Sequence, residues 1–238
     1  MANRDVTLKK AEEFLTYLKM AGVRSVPVTK QAIEESVVEE VKQTAVIEED
    51  ATDKRGQMLK LYKKVKKCVQ CQDLAETRTN IVFGAGNVNA NLVFIGEAPG
   101  RDEDMEGLPF VGRSGKLLTK IIEAIGINRE DVFICNVLKC RPPENRNPLP
   151  EEIINCQPYL KKQLAIIKPK VICCLGKFAC QTLFQTEDPI SKFRGKWHTY
   201  EGIKTMPTYH PAYLLRNPKE KATVWEDMKE IMRELEKN

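Results

Sequence analysis

The sequence predicts an α/β fold in three layers, α/β/α, with a central, mostly parallel four-stranded sheet and a helical N-terminal extension. After residue 54, short apolar runs alternate with longer amphipathic segments, as is typical of strands joined by crossover helices. A hydrophobic content of 42% in 238 residues suits one domain of moderate size plus an extension. No apolar run approaches the length of a membrane span.

Residues 1–53 differ in composition from the rest of the chain. They carry 7 basic and 11 acidic side chains, whereas residues 54–238 carry a net charge of +9 within a total of +5. Apolar residues at helical spacing predict a short helix over residues 5–20, and residues 31–53 read as an acidic linker or marginal helix. We therefore expect an extension over 1–53 whose helix docks on its own chain or on a protein partner.

The elements of the main domain follow in a regular order. Residues 54–67, rich in lysine, predict a basic helix, and one-sided apolar spacing predicts four more helices. These helices are expected at 114–125, 151–167, 177–185 and 219–236. Short apolar runs predict strands at 92–95, 132–138, 171–175, 197–200 and 204–208. Ligands of such sheets bind at the carboxyl ends of the strands, so the loop after Ile95, Asn136 and the loop carrying His210 are expected to form the site.

Four cysteines predict a metal site. Cys68 and Cys71 form a C-x2-C pair, and Cys140 and Cys156 follow far downstream. Four converging thiolates are metal ligands, and spacing alone leaves zinc and iron–sulfur both open. The other cysteines lie in apolar segments and read as small buried hydrophobes; they are Cys135, Cys173, Cys174 and Cys180. A disulfide framework does not suit a long chain without a secretory signal.

The basic main domain points to a polyanion as its partner. Four of its segments also share a specific resemblance. They are Gly96-Glu97-Ala98-Pro99-Gly100, Gly107-Leu108-Pro109-Phe110-Val111-Gly112, Lys139-Cys140-Arg141-Pro142-Pro143 and His210-Pro211-Ala212-Tyr213-Leu214-Leu215-Arg216. With the four cysteines, they resemble the family 4 uracil-DNA glycosylases, iron–sulfur members of the uracil-DNA glycosylase superfamily, over about residues 55–238.

The resemblance implies a DNA repair enzyme that flips uracil out of DNA and hydrolyses its N-glycosidic bond, leaving an abasic site. It implies a structural 4Fe–4S cluster on Cys68, Cys71, Cys140 and Cys156. We expect the cluster to clamp neighbouring elements rather than to react, because four protein ligands leave no open coordination position.

The residue types in the motifs suit excision of uracil. An amide such as that of Asn136 can accept from uracil N3–H and donate to O4, and the resemblance assigns it this role. The resemblance also makes Phe110 the ring that stacks on the base. It makes His210 the donor to uracil O2, where negative charge builds as the base leaves. Gly96 and Ala98 belong to the uracil-binding loop.

The loop at 96–104 has no obvious general base. Ala98 stands where the best-known branch of the superfamily has an Asp that activates water. Resemblance points to Glu97 as an anchor on the sugar side and to Glu103 as the carboxylate closest to the reacting face. We therefore expect a dissociative reaction that depends mainly on stabilising the leaving group.

DNA contacts are expected from two regions. An exposed Leu214, with Leu215 beside it, would act as an apolar wedge that holds the duplex open, with burial of one of the two leucines as the alternative. Arg216 would bind a phosphate. Basic residues around the cysteines are expected to face DNA. They are Lys63, Lys64, Lys66, Lys67, Arg141 and Arg146.

Two other functions stay open on the sequence. A superfamily relative that bonds covalently to the abasic product carries a basic insert with a His, whereas residues 141–150 here contain neither. A non-enzymatic zinc or iron–sulfur DNA-binding accessory protein would need no base pocket. For the glycosylase we expect a monomer in the cytoplasm, associated with the nucleoid.

Overall fold

A computed structural model of the chain describes residues 53–237. The predictions for the helix at 5–20, for the acidic linker up to residue 52 and for a partner of this extension lie outside the described residues. Within residues 53–237, no helix is long and apolar enough to cross a membrane.

The helices follow the predicted order closely. A first helix, α1, covers residues 53–66. The later helices are α2 Gln72–Thr77, α3 Arg101–Glu106, α4 Arg113–Ala124, α5 Pro150–Ile167, α6 Lys177–Phe184, α7 Ile190–Phe193, α8 Pro211–Arg216 and α9 Lys221–Leu235. Short 3-10 turns cover Arg129–Asp131, Pro143–Asn145 and Pro218–Glu220. The loop expected at 96–104 is wrong in its second half, because a helix begins at Arg101 and continues to Glu106, where Gly107 ends it in the left-handed conformation with φ 71°.

The strands form a single sheet within the described residues. They are β1 Ala85–Gly86, β2 Leu92–Gly96, β3 Phe133–Asn136, β4 Val171–Leu175, β5 His198–Tyr200 and β6 Ile203–Thr208. Their order across the sheet is β1-β3-β2-β4-β6-β5. The four central strands are parallel, and β1 and β5 add antiparallel edges. The predicted α/β class with a mostly parallel sheet is thereby confirmed, with two short edge strands added to the four parallel ones.

Alternate residues of the strands supply two apolar cores. Val93, Ile95 and Ile172 face one core, which the buried sides of α1, α5 and α6 complete. Phe94 and Ile134 face the other core, which α4, α8 and α9 cover. Because both faces of the sheet are buried, its central strands are apolar throughout, as parallel strands between two helical layers should be.

The register of the parallel strands brings the candidate site together. Gly96 at the end of β2 lies opposite Asn136 at the end of β3. Leu175 at the end of β4 lies opposite Thr208 at the end of β6, and His210 follows two residues later. All of these lie at the carboxyl edge of the sheet, where the sequence predicts the ligand.

Candidate functional site

A small pocket of about 150 Å³ opens at the carboxyl edge of the sheet. Its lining joins the strand end of β3, the loop after β2, α3, the loop between α3 and α4, the start of α4 and the residue before α8. The residues are Ala98, Gly100, Glu103, Phe110, Ser114, Asn136 and His210. Five of the seven were singled out from the sequence as site residues, and the fold brings those five together.

Asn136 presents a free acceptor at this edge. Its side chain is buried, and its Oδ1 accepts no hydrogen bond from the described residues. A buried polar atom without a partner is rare and costs about 1–3 kcal/mol. Gly96 makes room for it, since a Cβ at position 96 would lie 2.4 Å from Asn136 Oδ1. The amide is therefore held ready for a ligand that donates a hydrogen bond.

Phe110 is held by its backbone in an unusual conformation. Its φ of 54° lies in the left-handed region that non-glycine residues seldom adopt. Arg129 Nη2 donates to Pro109 O at 2.8 Å and to Phe110 O at 3.0 Å. Its Nη1 donates to Thr119 Oγ1 at 2.8 Å. Burial lowers the pKa of Arg129. The contacts of Arg129 hold the backbone that carries the Phe110 ring. The centroid of this ring lies 5.5 Å from the centroid of the His210 ring.

His210 caps the start of α8 with a ring nitrogen. Its Nδ1 accepts a hydrogen bond from Ala212 N at 3.1 Å. A nitrogen that accepts carries no proton, so the neutral ring has its proton on Nε2. Burial lowers the pKa of His210 to about 4, and the charge of Arg216 acts in the same direction. At neutral pH, His210 is therefore an uncharged donor through Nε2–H.

Glu103 is engaged by the backbone of two loops. Its Oε2 accepts from Gly100 N at 3.1 Å, and its Oε1 accepts from Val111 N and Gly112 N, each at 3.0 Å. The carboxylate thereby joins the loop after β2 to the loop that carries Phe110. A carboxylate that accepts three backbone hydrogen bonds suits a role in shaping the pocket better than a role in activating water.

Glu97 differs from Glu103 in its surroundings. The structure describes no hydrogen bond to its half-buried carboxylate, and burial raises its pKa to about 7. Its backbone carbonyl accepts from Leu138 N at 3.0 Å. Glu97 is absent from the residues that line the 150 Å³ pocket. It therefore lies outside this pocket, next in the chain to Ala98 that lines it, as a carboxyl group that changes charge near neutral pH.

A wider cleft of about 530 Å³ adjoins the pocket of about 150 Å³ and shares Glu103 and Ser114 with it. Its basic residues are Arg101, Arg113 and Arg216. Leu215 also lines it and is 38% exposed. A cleft with three arginines beside a base-sized pocket can hold a nucleic-acid backbone.

Leu214 corrects one prediction. Its side chain is fully buried in the core formed with α4 and α9, so it is not the exposed wedge expected from the sequence. The reason is helical geometry: α8 turns Leu214 toward the sheet, and the next residue, Leu215, points about 100° away into the cleft. Leu215 is the exposed member of this leucine pair.

The other basic residues predicted to face DNA are spread out. Lys64 and Lys67 are exposed at the end of α1 and do not line the wide cleft. Arg141 Nε donates at 2.7 Å to Oδ1 of Asn145, a residue that does line it. Arg146 binds Glu152 through two hydrogen bonds of 2.6 and 3.0 Å. Arg146 therefore serves an ion pair within the protein rather than an open DNA surface.

The four predicted cysteine ligands line one cavity. Cys68 and Cys71 come from the segment between α1 and α2, Cys140 from the segment after β3, and Cys156 from α5. Two of these sulfur atoms accept hydrogen bonds from N–H groups. Arg78 Nη1 donates to Cys140 Sγ at 3.2 Å, and the Lys139 backbone N–H donates to Cys156 Sγ at 3.3 Å. N–H groups aimed at sulfur stabilise thiolates over thiols.

The protonation of these thiols follows from burial. Burial raises the pKa values of Cys71 and Cys140, and raises that of Cys156 to about 12. A metal centre must displace those protons to bind. Among the described Cys, His, Asp and Glu side chains, no group of three lies close enough to hold a single metal ion.

Sequence reasoning missed three residues of the site. Arg129 holds the Phe110 loop, Ser114 lines the base pocket, and Arg78 donates to Cys140 Sγ. Each of them is remote in sequence from the residue that it contacts or lies outside a recognisable motif. Ser114 alone had a signal, since it lies two residues after the segment that ends at Gly112.

Comparisons with known proteins agree with this geometry. The family model of the uracil DNA glycosylase superfamily matches residues 83–229. The chain is 48% identical to a type-4 uracil-DNA glycosylase of Archaeoglobus fulgidus over 179 residues, 72% of this chain and 89% of the relative. It is 50% identical to one of Thermotoga maritima over 158 residues, 65% of this chain and 81% of the relative. It is 47% identical to one of Saccharolobus solfataricus over 70% of this chain and 81% of the relative.

Proposed function

The chain belongs to the uracil DNA glycosylase superfamily, with its similarity to the type-4 enzymes, and we propose that it removes uracil from DNA as a repair glycosylase. It breaks the N-glycosidic bond and leaves an abasic site. The main support for this proposal is one pocket of about 150 Å³. It is lined by the amide of Asn136, the aromatic ring of Phe110 and the neutral imidazole of His210.

Base recognition follows from the Asn136 amide. Its unpartnered Oδ1 would accept from uracil N3–H, and its Nδ2 would donate to O4. Cytosine presents the reverse pattern at these positions, so the fixed amide rejects it. The Phe110 ring would stack on the base, and Gly96 lets the base approach the strand end.

Leaving-group stabilisation follows from His210. The departing uracil gains negative charge on O2 as the sugar becomes oxocarbenium-like. A neutral imidazole with its proton on Nε2 would donate a hydrogen bond that strengthens as this charge grows. Glu103 would set the loop geometry, and Glu97, when ionised, would place negative charge beside the positive sugar.

The wide cleft would bind the DNA strand. Its arginines, including Arg216, would contact phosphates, with Arg141 holding Asn145 at the cleft wall. Leu215 would fill the space left by the flipped base. Lys64 and Lys67 would extend the basic surface around the cysteines. We propose a monomer that acts on nucleoid DNA in the cytoplasm.

The cysteine site would hold a 4Fe–4S cluster through Cys68, Cys71, Cys140 and Cys156. Such a cluster would supply structural cross-linking between the segment that joins α1 to α2, the segment after β3, and α5. The donors Arg78 and Lys139 support an anionic sulfur site. Purified protein should be yellow-brown, and Cys140→Ala or Cys156→Ala should bleach it. A colourless protein with one stoichiometric zinc ion would contradict the cluster.

The deciding experiment is incubation with uracil-containing DNA, followed by alkali cleavage of the abasic product. Strand cleavage at uracil, and none in matched thymine DNA, is expected. No cleavage by folded, cluster-loaded protein would contradict the proposal and favour a binding protein without activity. A denaturing gel of the same reaction would reveal a lasting protein–DNA adduct if the chain acted as the covalent relative does.

A further inference from the structure

Lys139 is a buried lysine between the two sites described above. Its side chain is 1% exposed, an exceptional environment for an ammonium group. Its Nζ donates to the backbone carbonyl of Asn136 at 2.7 Å. No carboxylate within residues 53–237 forms an ion pair with it. An ammonium has three N–H donors, and this one hydrogen bond leaves its charge largely uncompensated.

The backbone of the same residue contacts the cysteine site. Lys139 N donates to Cys156 Sγ at 3.3 Å, and the next residue in the chain is Cys140. Burial raises the pKa of Cys156, and the positive charge of Lys139 counteracts this increase. The segment from Asn136 to Cys140 thus runs from the base pocket to the cysteines.

Burying an unpaired ammonium costs several kcal/mol, so a nearby negative charge is needed to hold it there. Four thiolates around an iron–sulfur core leave the centre with a net negative charge. The Lys139 ammonium, whose charge acts on Cys156, would be the matching positive charge. The same ammonium restrains the carbonyl of the residue that reads uracil.

From these contacts we infer that Lys139 is a positioning residue that couples the cysteine site to the base pocket. Its ammonium balances the negative charge of the cysteine site and holds the Asn136 carbonyl at the base pocket. This inference rests on the proposed function. Its consequence is that loss of the Lys139 charge weakens uracil recognition and alters the cluster together, whereas contacts with the DNA backbone stay intact.

The test compares Lys139→Met, which keeps the length of the side chain and removes the charge, with Lys139→Arg, which keeps the charge. Lys162→Met, an exposed lysine on α5, is the matched control. Three quantities are measured on loaded protein: the midpoint potential of the cluster, the inhibition constant of free uracil, and the Kd for DNA without uracil.

For Lys139→Met we expect a more negative midpoint potential, because a removed positive charge disfavours the reduced cluster. Free uracil should bind about 10- to 100-fold more weakly, the range expected for a lost charged hydrogen bond. The Kd for DNA without uracil should not change. Lys139→Arg should have a midpoint potential and an affinity for free uracil close to those of the wild type. Lys162→Met should match the wild type in both.

A wild-type potential or wild-type uracil binding in loaded Lys139→Met would overturn the inference, since both must change. If Lys139→Met does not load iron, loading by Lys139→Arg supports the charge role, and failure of both variants shows that only the shape of lysine is tolerated and contradicts it. Wild-type protein that holds no iron or releases no uracil would instead contradict the proposed function.

Discussion

The side chain of Asn136 occupies the space that a side chain at Gly96 would take. A Cβ atom on Gly96 would lie 2.4 Å from Asn136 Oδ1 and 2.6 Å from a ring carbon of Phe110. Both distances are far below van der Waals contact. The approach of these three residues defines the depth of the base pocket.

Gly96→Ala should therefore close the pocket to the base. The new methyl group displaces Asn136 or Phe110, so the single-turnover rate on uracil DNA should fall by at least about a hundredfold, as when one transition-state donor is lost. Gly56→Ala on α1 is the matched control, since its Cβ would meet nothing within 4 Å. That control should keep full activity. Equal activity of both variants would show that uracil does not bind beside Gly96.

Substitutions of Asn136 and His210 test base recognition directly. Asn136→Ala should weaken both binding and the chemical step, whereas His210→Ala should mainly slow the chemical step, by about a hundredfold or more. Asn136→Asp is sharper, because a carboxylate repels uracil O4 and accepts from the cytosine amino group. Uracil excision should fall, and weak cytosine excision should be detectable. Near wild-type single-turnover rates for folded Asn136→Ala and His210→Ala would refute the pocket.

The sheet and its carboxyl edge were predictable because apolar runs and their order along the chain determine a parallel sheet. The convergence of Gly96, Asn136 and His210 follows from that topology alone. The orientation of side chains within α8 was not predictable, because whether Leu214 or Leu215 faces the core depends on where the helix begins. Arg129 was also missed, since its partners Pro109 and Phe110 lie some twenty residues away and nothing local indicates the contact.

Glu97 should make stability depend on pH. Burial raises its pKa to about 7 from an ordinary 4.5, so between these values the folded protein keeps a proton that the unfolded chain releases. Stability from this group therefore falls as pH rises from 4.5 to 7. His210, with a pKa lowered to about 4, acts in the opposite direction between pH 4 and 6.5.

Glu97→Gln isolates the first effect, because both proteins keep His210. In urea unfolding, the variant should gain stability relative to the wild type as pH increases from 4.5 to 7. The single-turnover rate of the wild type should also change near pH 7, and that step should be missing in Glu97→Gln. A constant stability difference across this range would mean that Glu97 is already ionised at pH 5.

Replacing Leu215 should mainly affect excision from duplex DNA, whereas replacing Leu214 should mainly affect stability. Leu215→Ala removes an exposed side chain, so stability should change by less than about 0.5 kcal/mol, and excision from duplex DNA should slow more than excision from single strands, which need no wedge. Leu214→Ala empties a fully buried site and should lower the free energy of unfolding by about 2–5 kcal/mol. Equal losses on duplex and single-stranded substrate for Leu215→Ala would exclude it as the wedge.

Arg129 should act through Phe110. Arg129→Ala removes the donors to Thr119, Pro109 and Phe110 and leaves buried acceptors unpaired, so the free energy of unfolding should fall by about 1–3 kcal/mol. The KM for uracil DNA should rise because the stacking ring is no longer held. Arg233→Ala, an exposed arginine on α9, is the control and should change neither quantity.

A double-mutant cycle separates this positioning role from a general loss of stability. If Arg129 acts through the stacking ring, Arg129→Ala should raise KM in the wild type and have little further effect in Phe110→Ala, whose ring is already absent. The losses in unfolding free energy should remain in both backgrounds, because the contact with Thr119 does not depend on the ring. Fully additive effects on KM would show that Arg129 influences substrate binding by a route that does not involve Phe110.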